Sequence, residues 1–107
     1  MSILTITVNH TDPIQAQQNV HRRLHLAGEV PPEGLVFQVA SPADPGYQVI
    51  CVWDSLSSFA RFRDERLRPA IEAEGVLSEH LTTTVFEVAS YLAGSAAAAA
   101  PSAAVSA

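Results

Sequence analysis

Two neighbouring segments, Gly34–Ala40 (GLVFQVA) and Tyr47–Trp53 (YQVICVW), are apolar at both parities. A strand whose apolar residues alternate with polar ones can rest one face on a core and wet the other. A strand without that alternation has to be covered on both faces. Leu35, Phe37 and Val39 stand against Val36 and Ala40, and Val49 and Cys51 against Ile50 and Val52. Between the two segments, Ser41–Gly46 (SPADPG) is dense in turn residues, so the pair reads as an antiparallel hairpin. Any fold for this chain must supply two covers for it.

Ile3–Val8 (ILTITV) alternates apolar residues with Thr, the pattern of a half-buried strand. Asp12-Pro13 predicts a helix start, with Asp12 as N-cap and Pro13 at the first helical position. On a 3.6-residue period Ala16, Val20, Leu24 and Ala27 share one face with Gln17, flanked by Ile14, His21 and His25. Gly28 and then Pro31-Pro32 stop the helix. Asp54 or Ser55 caps a second helix, with Phe59, Phe62 and Leu67 on its buried side. Pro69 kinks or restarts that helix, and Gly75 ends it. A fourth strand lies within Leu81–Leu92.

The order is β-α-β-β-α-β. Right-handed crossovers put both helices on one face of a four-stranded antiparallel sheet. The other face then stays bare, although the hairpin is apolar there too. Sheet-to-sheet packing of a second copy covers it, so a homodimer is expected. Composition agrees, with 48% apolar and only 16% charged residues, against about 25% charged in ordinary soluble domains. Residues 1–92 read as one domain. Residues 93–107, Ala- and Ser-rich without charge, read as a disordered tail.

Net charge is -5 with six Lys plus Arg, which argues against nucleic acid and anionic membranes as partners. The lone Cys51 excludes an internal disulfide and a multi-Cys metal site. No basic region precedes the first apolar residues, and no run approaches a membrane span, so a cytoplasmic location is expected. Glycine-rich phosphate loops, nucleophile elbows and dinucleotide fingerprints are absent from the sequence, and no cofactor is expected.

Gly34–Ala40, Gly46-Tyr47, Val52–Ser55, Phe59–Phe62 and Glu65–Ala70 (ERLRPA) together resemble the dimeric α+β barrel superfamily of ferredoxin-like folds. The resemblance covers about residues 3–92 and is nearest the small bacterial antibiotic-biosynthesis-monooxygenase-like members. That superfamily holds cofactor-free oxygenases, polyketide cyclases, lactone isomerases and haem-handling enzymes, and what the resemblance implies here is a cofactor-free natural-product enzyme. Such relatives often carry His where this chain has Gln38, Asp at Cys51 and His at Ala89. Acid-base work done there in relatives is either lost here or moved to other residues.

A hairpin register with Gln38 opposite Val49 would gather Val36, Gln38, Tyr47, Cys51 and Trp53 on one face, an aromatic surface with sparse polar groups suited to a small molecule. The bland alternative makes Tyr47 and Trp53 core or interface aromatics. His21 borders the buried stripe of helix one and is the candidate for proton transfer, against the alternative of a partly exposed flank histidine. Gln38 is the polar partner that orients substrate. Gln17 and Phe62 face the same gap, and Arg66 can reach an anionic oxygen at its mouth or pair with Glu65 instead. His21 and His25 form an i,i+4 pair without a third metal ligand, so no metal is expected. Glu87 becomes a base only if buried. Cys51 reads as a small hydrophobe and not as a nucleophile.

The leading expectation is a cofactor-independent enzyme that cyclises, isomerises or oxygenates an apolar aromatic or polyketide-like substrate. The alternative is a non-catalytic dimeric module that binds a ligand or stabilises a partner.

Overall fold

The computed structural model describes residues 1–28 and 31–90, the side chains of 25–28 excepted. The elements run β1 (Ile3–Asn9), α1 (Ile14–Gly28), β2 (Leu35–Pro42), β3 (Tyr47–Trp53), α2 (Leu56–Phe62), a π-helical turn (Arg63–Leu67), α3 (Arg68–Ala73), a 3-10 turn (Ser78–His80) and β4 (Leu81–Glu87). The sheet order is β2-β3-β1-β4, with every neighbouring pair antiparallel. This is the ferredoxin-like βαββαβ arrangement expected from the sequence. The expected tail and the side chain of His25 lie outside the described residues.

Local chemistry accounts for the second helical segment. Ser55, in extended backbone, accepts a hydrogen bond from the Ser58 amide at 3.2 Å and so is the cap, in preference to Asp54. Pro69 has no N–H to give and its ring would crowd the preceding turn. The chain meets this by widening into the π turn just before it, where the Arg68 amide donates to the Arg63 carbonyl, and α3 restarts with Pro69 in its first turn. Gly75, at φ 76°, ends the segment.

Three expectations are corrected. First, Gln38 pairs with Cys51, and Ala40 takes the place opposite Val49. The slip is two residues, so Gln38, Tyr47, Cys51 and Trp53 still share a face. Second, a bulge between Leu35 and Phe37 removes Val36 from that face and sets Leu35 opposite Trp53. Third, Asp12 does not cap α1, which begins at Ile14; its carboxylate is held by Asn9 and His80 instead. β4 occupies the first part of the Leu81–Leu92 run, ending at Glu87, and beyond it the Val88 amide still donates to the Ser2 carbonyl.

The core sits between sheet and helices. Ile3, Cys51, Trp53 and Phe59 are buried together, with Leu35, Val49 and Phe62 against them. Trp53 is 2% exposed, and its ring centroid lies 5.8 Å from that of Phe59 and 5.3 Å from that of Phe62. An ion pair of Arg23 with Glu74, at 2.6 Å, ties α1 to the end of α3. On the opposite sheet face the register aligns Leu4 with Val52 and Phe86, Ile6 with Ile50, Phe37 with Val52 and Val39 with Ile50. Phe37, Val39 and Phe86 are 50%, 43% and 49% exposed there. Among the described residues that mainly apolar face has no cover.

Candidate ligand cavity

The helices do not close fully on the sheet. Between them lies a cavity of about 860 Å³, walled by β1, β2 and β3 on one side and by α1, α2 and the π turn on the other. That size suits a drug-sized or larger small molecule. The cavity brings together all of Gln17, His21, Gln38, Tyr47, Cys51, Trp53, Phe62 and Arg66, the residues singled out from the sequence. Their placements differ in what they permit.

The strands supply the floor. Trp53, Cys51, Val49 and Tyr47 of β3 project from the helix side, beside Thr5 and Thr7 of β1 and Gln38 and Ala40 of the edge strand β2. Phe59 and Phe62 wall the end at Trp53. The Trp53 indole Nε1 is buried and has no hydrogen-bond partner among the described residues. An indole N–H is only a donor, and leaving one unpaired in a dry site costs about 1–3 kcal/mol.

Cys51 is buried, and burial pushes its thiol up to about 11, with a hydrogen bond from Thr5 offsetting a little of the rise. It is a neutral wall group at neutral pH, which agrees with the sequence reading. Tyr47 is 5% exposed, and burial also raises its hydroxyl above the ordinary phenol value.

The helices supply the roof. Gln17, Val20, His21 and Leu24 come from α1. His21 is exposed at the cavity's edge, where it is reachable from solvent. Arg66 does not pair with Glu65. Its Nη2 donates to the Leu24 carbonyl at 3.1 Å, and its guanidinium lies 5.9 Å from the Phe62 ring centre. It therefore holds the last turns of α1 to the π turn while facing the cavity. Glu87 is exposed at the end of β4, outside the cavity lining, so the burial that would have made it a base candidate is absent. Among the described residues no group of three or more His, Cys, Asp and Glu is placed to hold a metal ion, and no helix is long and apolar enough to cross a membrane.

Sequence reasoning missed the polar cluster at the Tyr47 end. Asn9 is fully buried. Its Oδ1 accepts from the amides of Thr11 at 2.8 Å and Asp12 at 2.7 Å. Its Nδ2 donates to Asp12 Oδ2 at 2.8 Å and to the Tyr47 hydroxyl oxygen at 3.3 Å. His80 Nδ1 donates to the same Asp12 oxygen at 3.0 Å. The Asn9 bond, with a further contribution from His80, holds the Asp12 carboxyl below its ordinary value. Gly46, at φ 92°, leaves room beside the Asn9 carbonyl that any side chain would fill. The only early signal was an Asn at a strand end, a common turn residue.

No protein-family model matches the chain, and no curated protein does. Solved structures do match. SnoaB, a cofactor-independent oxygenase from Streptomyces nogalater, aligns at 20% identity with a TM-score of 0.55, covering 85% of this chain and 94% of its own. A dimeric ferredoxin-like protein of unknown function from Jannaschia sp. CCS1 aligns at 13% identity, TM-score 0.56, over 82% and 100% of the two chains. A proposed antibiotic biosynthesis monooxygenase from Caulobacter crescentus CB15 aligns at 12% identity, TM-score 0.63, over 83% and 91%. The chain shares its ferredoxin-like α+β fold with these proteins; identities this low speak to fold alone.

Proposed function

We propose that the chain is a cofactor-independent enzyme acting on an apolar, aromatic small molecule held between helices and sheet, and that it works as a homodimer through its bare sheet face. The observation that carries the reading is the cavity itself, about 860 Å³ and mainly apolar, in which Trp53, Tyr47 and Phe62 meet a few polar groups. A turn of the buried Trp53 ring would offer its unpaired N–H to a carbonyl or developing oxyanion on the substrate. Gln38 orients the substrate, since an amide is no base at neutral pH. His21 takes the proton from the cavity's edge. Cyclisation, isomerisation and oxygenation all begin from such a proton transfer, and the likeness to SnoaB makes oxygenation the first to test.

The test is incubation of the purified protein with anthrones and polycyclic phenols, following dioxygen uptake and product mass. Oxygenation of an anthrone shows as gain of one oxygen with loss of two hydrogens. His21→Gln should slow turnover by about 10²–10⁴-fold with the fold retained. Full activity in that variant would remove His21 from the mechanism.

A second reading, a non-catalytic module that binds the same ligand class, is favoured by the exposure of His21. A general base gains from partial desolvation, and this one has little. Tight binding across the whole set with no turnover would select this reading.

A further inference from the structure

The hydrogen-bond polarity at the Tyr47 end of the cavity is fixed by the chain itself. Asn9 Oδ1 accepts from two successive backbone amides, Thr11 and Asp12. An amide nitrogen in that place would set donor against donor, so the carboxamide has one permitted orientation. Its nitrogen then faces Asp12 Oδ2 and the Tyr47 hydroxyl, with one hydrogen for each. The Tyr47 oxygen must accept from Asn9. Its own proton is left over, and among the described residues it has no acceptor.

Tyr47 lines the cavity and is 5% exposed. From this geometry we infer that Tyr47 is a hydrogen-bond donor for an acceptor oxygen of the bound molecule, with Asn9 as the positioning residue that sets its polarity. The inference rests on the proposed reading of the cavity as a ligand site and deepens it by naming the ligand's chemistry. Asp12 and His80 hold Asn9 from behind: the carboxylate takes the second amide hydrogen and is itself held by the His80 Nδ1–H. Burial raises the Tyr47 hydroxyl, which keeps the proton on it at neutral pH.

Trp53 and Tyr47 stand at opposite ends of β3, with Cα atoms roughly 20 Å apart along a strand of that length. The Tyr47 donor thus stands at one end of a mainly apolar trough, with the Trp53 ring towards the other. A flat fused-ring molecule with a carbonyl or phenolate oxygen at its edge is the class that uses it. A bare aromatic hydrocarbon of the same shape fills the trough and leaves the Tyr47 donor unpaired.

The experiment uses two probes with one ring frame and one sulfonate, anthraquinone-2-sulfonate and anthracene-2-sulfonate, which differ in the two carbonyl oxygens. Binding is read by equilibrium dialysis and by the fluorescence of Trp53, the chain's one tryptophan. The full chain should prefer the quinone. Tyr47→Phe, which keeps the ring, should lower quinone affinity about five- to tenfold and leave the anthracene probe within about twofold, the effect of one net hydrogen bond. Asn9→Asp should give the same loss with Tyr47 intact. A carboxyl there keeps both backbone contacts but has at most one proton, which Asp12 claims, so Tyr47 must turn its own proton toward position 9. The double variant should lose no more than either single one.

A quinone preference that survives Tyr47→Phe overturns the inference while the cavity reading stands. A preference lost in Tyr47→Phe and kept in Asn9→Asp overturns the role of Asn9. No binding of either probe by the full chain removes the cavity reading and the inference together. Should Asn9→Asp fail to fold by circular dichroism, Tyr47→Phe against the two probes still decides.

Discussion

Phe37→Ala should break the proposed dimer, and the structure sets the size of the effect. Phe37 is 50% exposed on the bare sheet face, opposite Val52 and beside Val39. A phenylalanine buries about 150–250 Å² when fully covered, so about 100 Å² of this ring waits for a cover. At ~25 cal/mol per Å², covering it contributes about 2.5 kcal/mol. A two-fold interface uses each patch twice, giving about 5 kcal/mol per dimer. Ordering each ring costs about 0.5–1.5 kcal/mol, which leaves roughly 2–4 kcal/mol, or about 30- to 1,000-fold in dissociation constant. Sedimentation velocity over a dilution series reads this directly. The parent chain should sediment at twice the chain mass in the micromolar range, and the variant should dissociate at correspondingly higher concentration. The cavity is lined from within one protomer, so the dissociated variant should still quench Trp53 with a cavity ligand. A parent chain that is monomeric throughout, or a variant with an unchanged dissociation constant, would refute the argument that this face needs a second copy.

Cys51, with its thiol pushed up to about 11, should resist iodoacetamide at pH 8 in the native protein and label fully once unfolded in guanidinium; rapid native labelling would show that β3 opens readily. Asp12 has a folded-state value below its unfolded one, through Asn9 first and His80 after. Its stabilisation is therefore complete above the unfolded value near ~4 and lost as pH falls through the folded value. The melting temperature should drop on acidification below about pH 4, and Asp12→Asn should flatten that drop while lowering stability at neutral pH; parallel curves for the two proteins would contradict it.

Much of the fold was readable because it rests on periodicity. The double-sided apolar hairpin demanded two covers, and the structure places helices on one face and leaves Phe37, Val39 and Phe86 on the other. Turn chemistry was readable for the same kind of reason: Ser55, Pro69 and Gly75 act through local backbone geometry. Gln38 still joins Tyr47, Cys51 and Trp53 of β3 in the cavity because strand parity survived the register error. A slip of two residues preserves which face a side chain occupies, whereas a slip of one would have turned Gln38 away from Trp53. Val36 was misplaced because the bulge between Leu35 and Phe37 inserts a residue inside an unbroken apolar run.

The Asn9 cluster was illegible for a different reason. It joins a strand end, the following turn, the start of another strand and a 3-10 turn, through Asn9, Asp12, Tyr47 and His80. Each of these residues has an ordinary local meaning: a turn Asn, a helix cap, a strand aromatic and a loop His. Only the pairing of β1 with both β3 and β4 sets Asn9 directly between Tyr47 and Leu81, and so brings His80 to Asp12. A buried amide without partners would cost more than the turn could return. The burial of Asn9 therefore requires every one of its four bonds, and the last of them decides where the proton of Tyr47 can go. The free proton of Tyr47 at that end of the cavity is a consequence of satisfying a turn, which no periodicity along the chain can express.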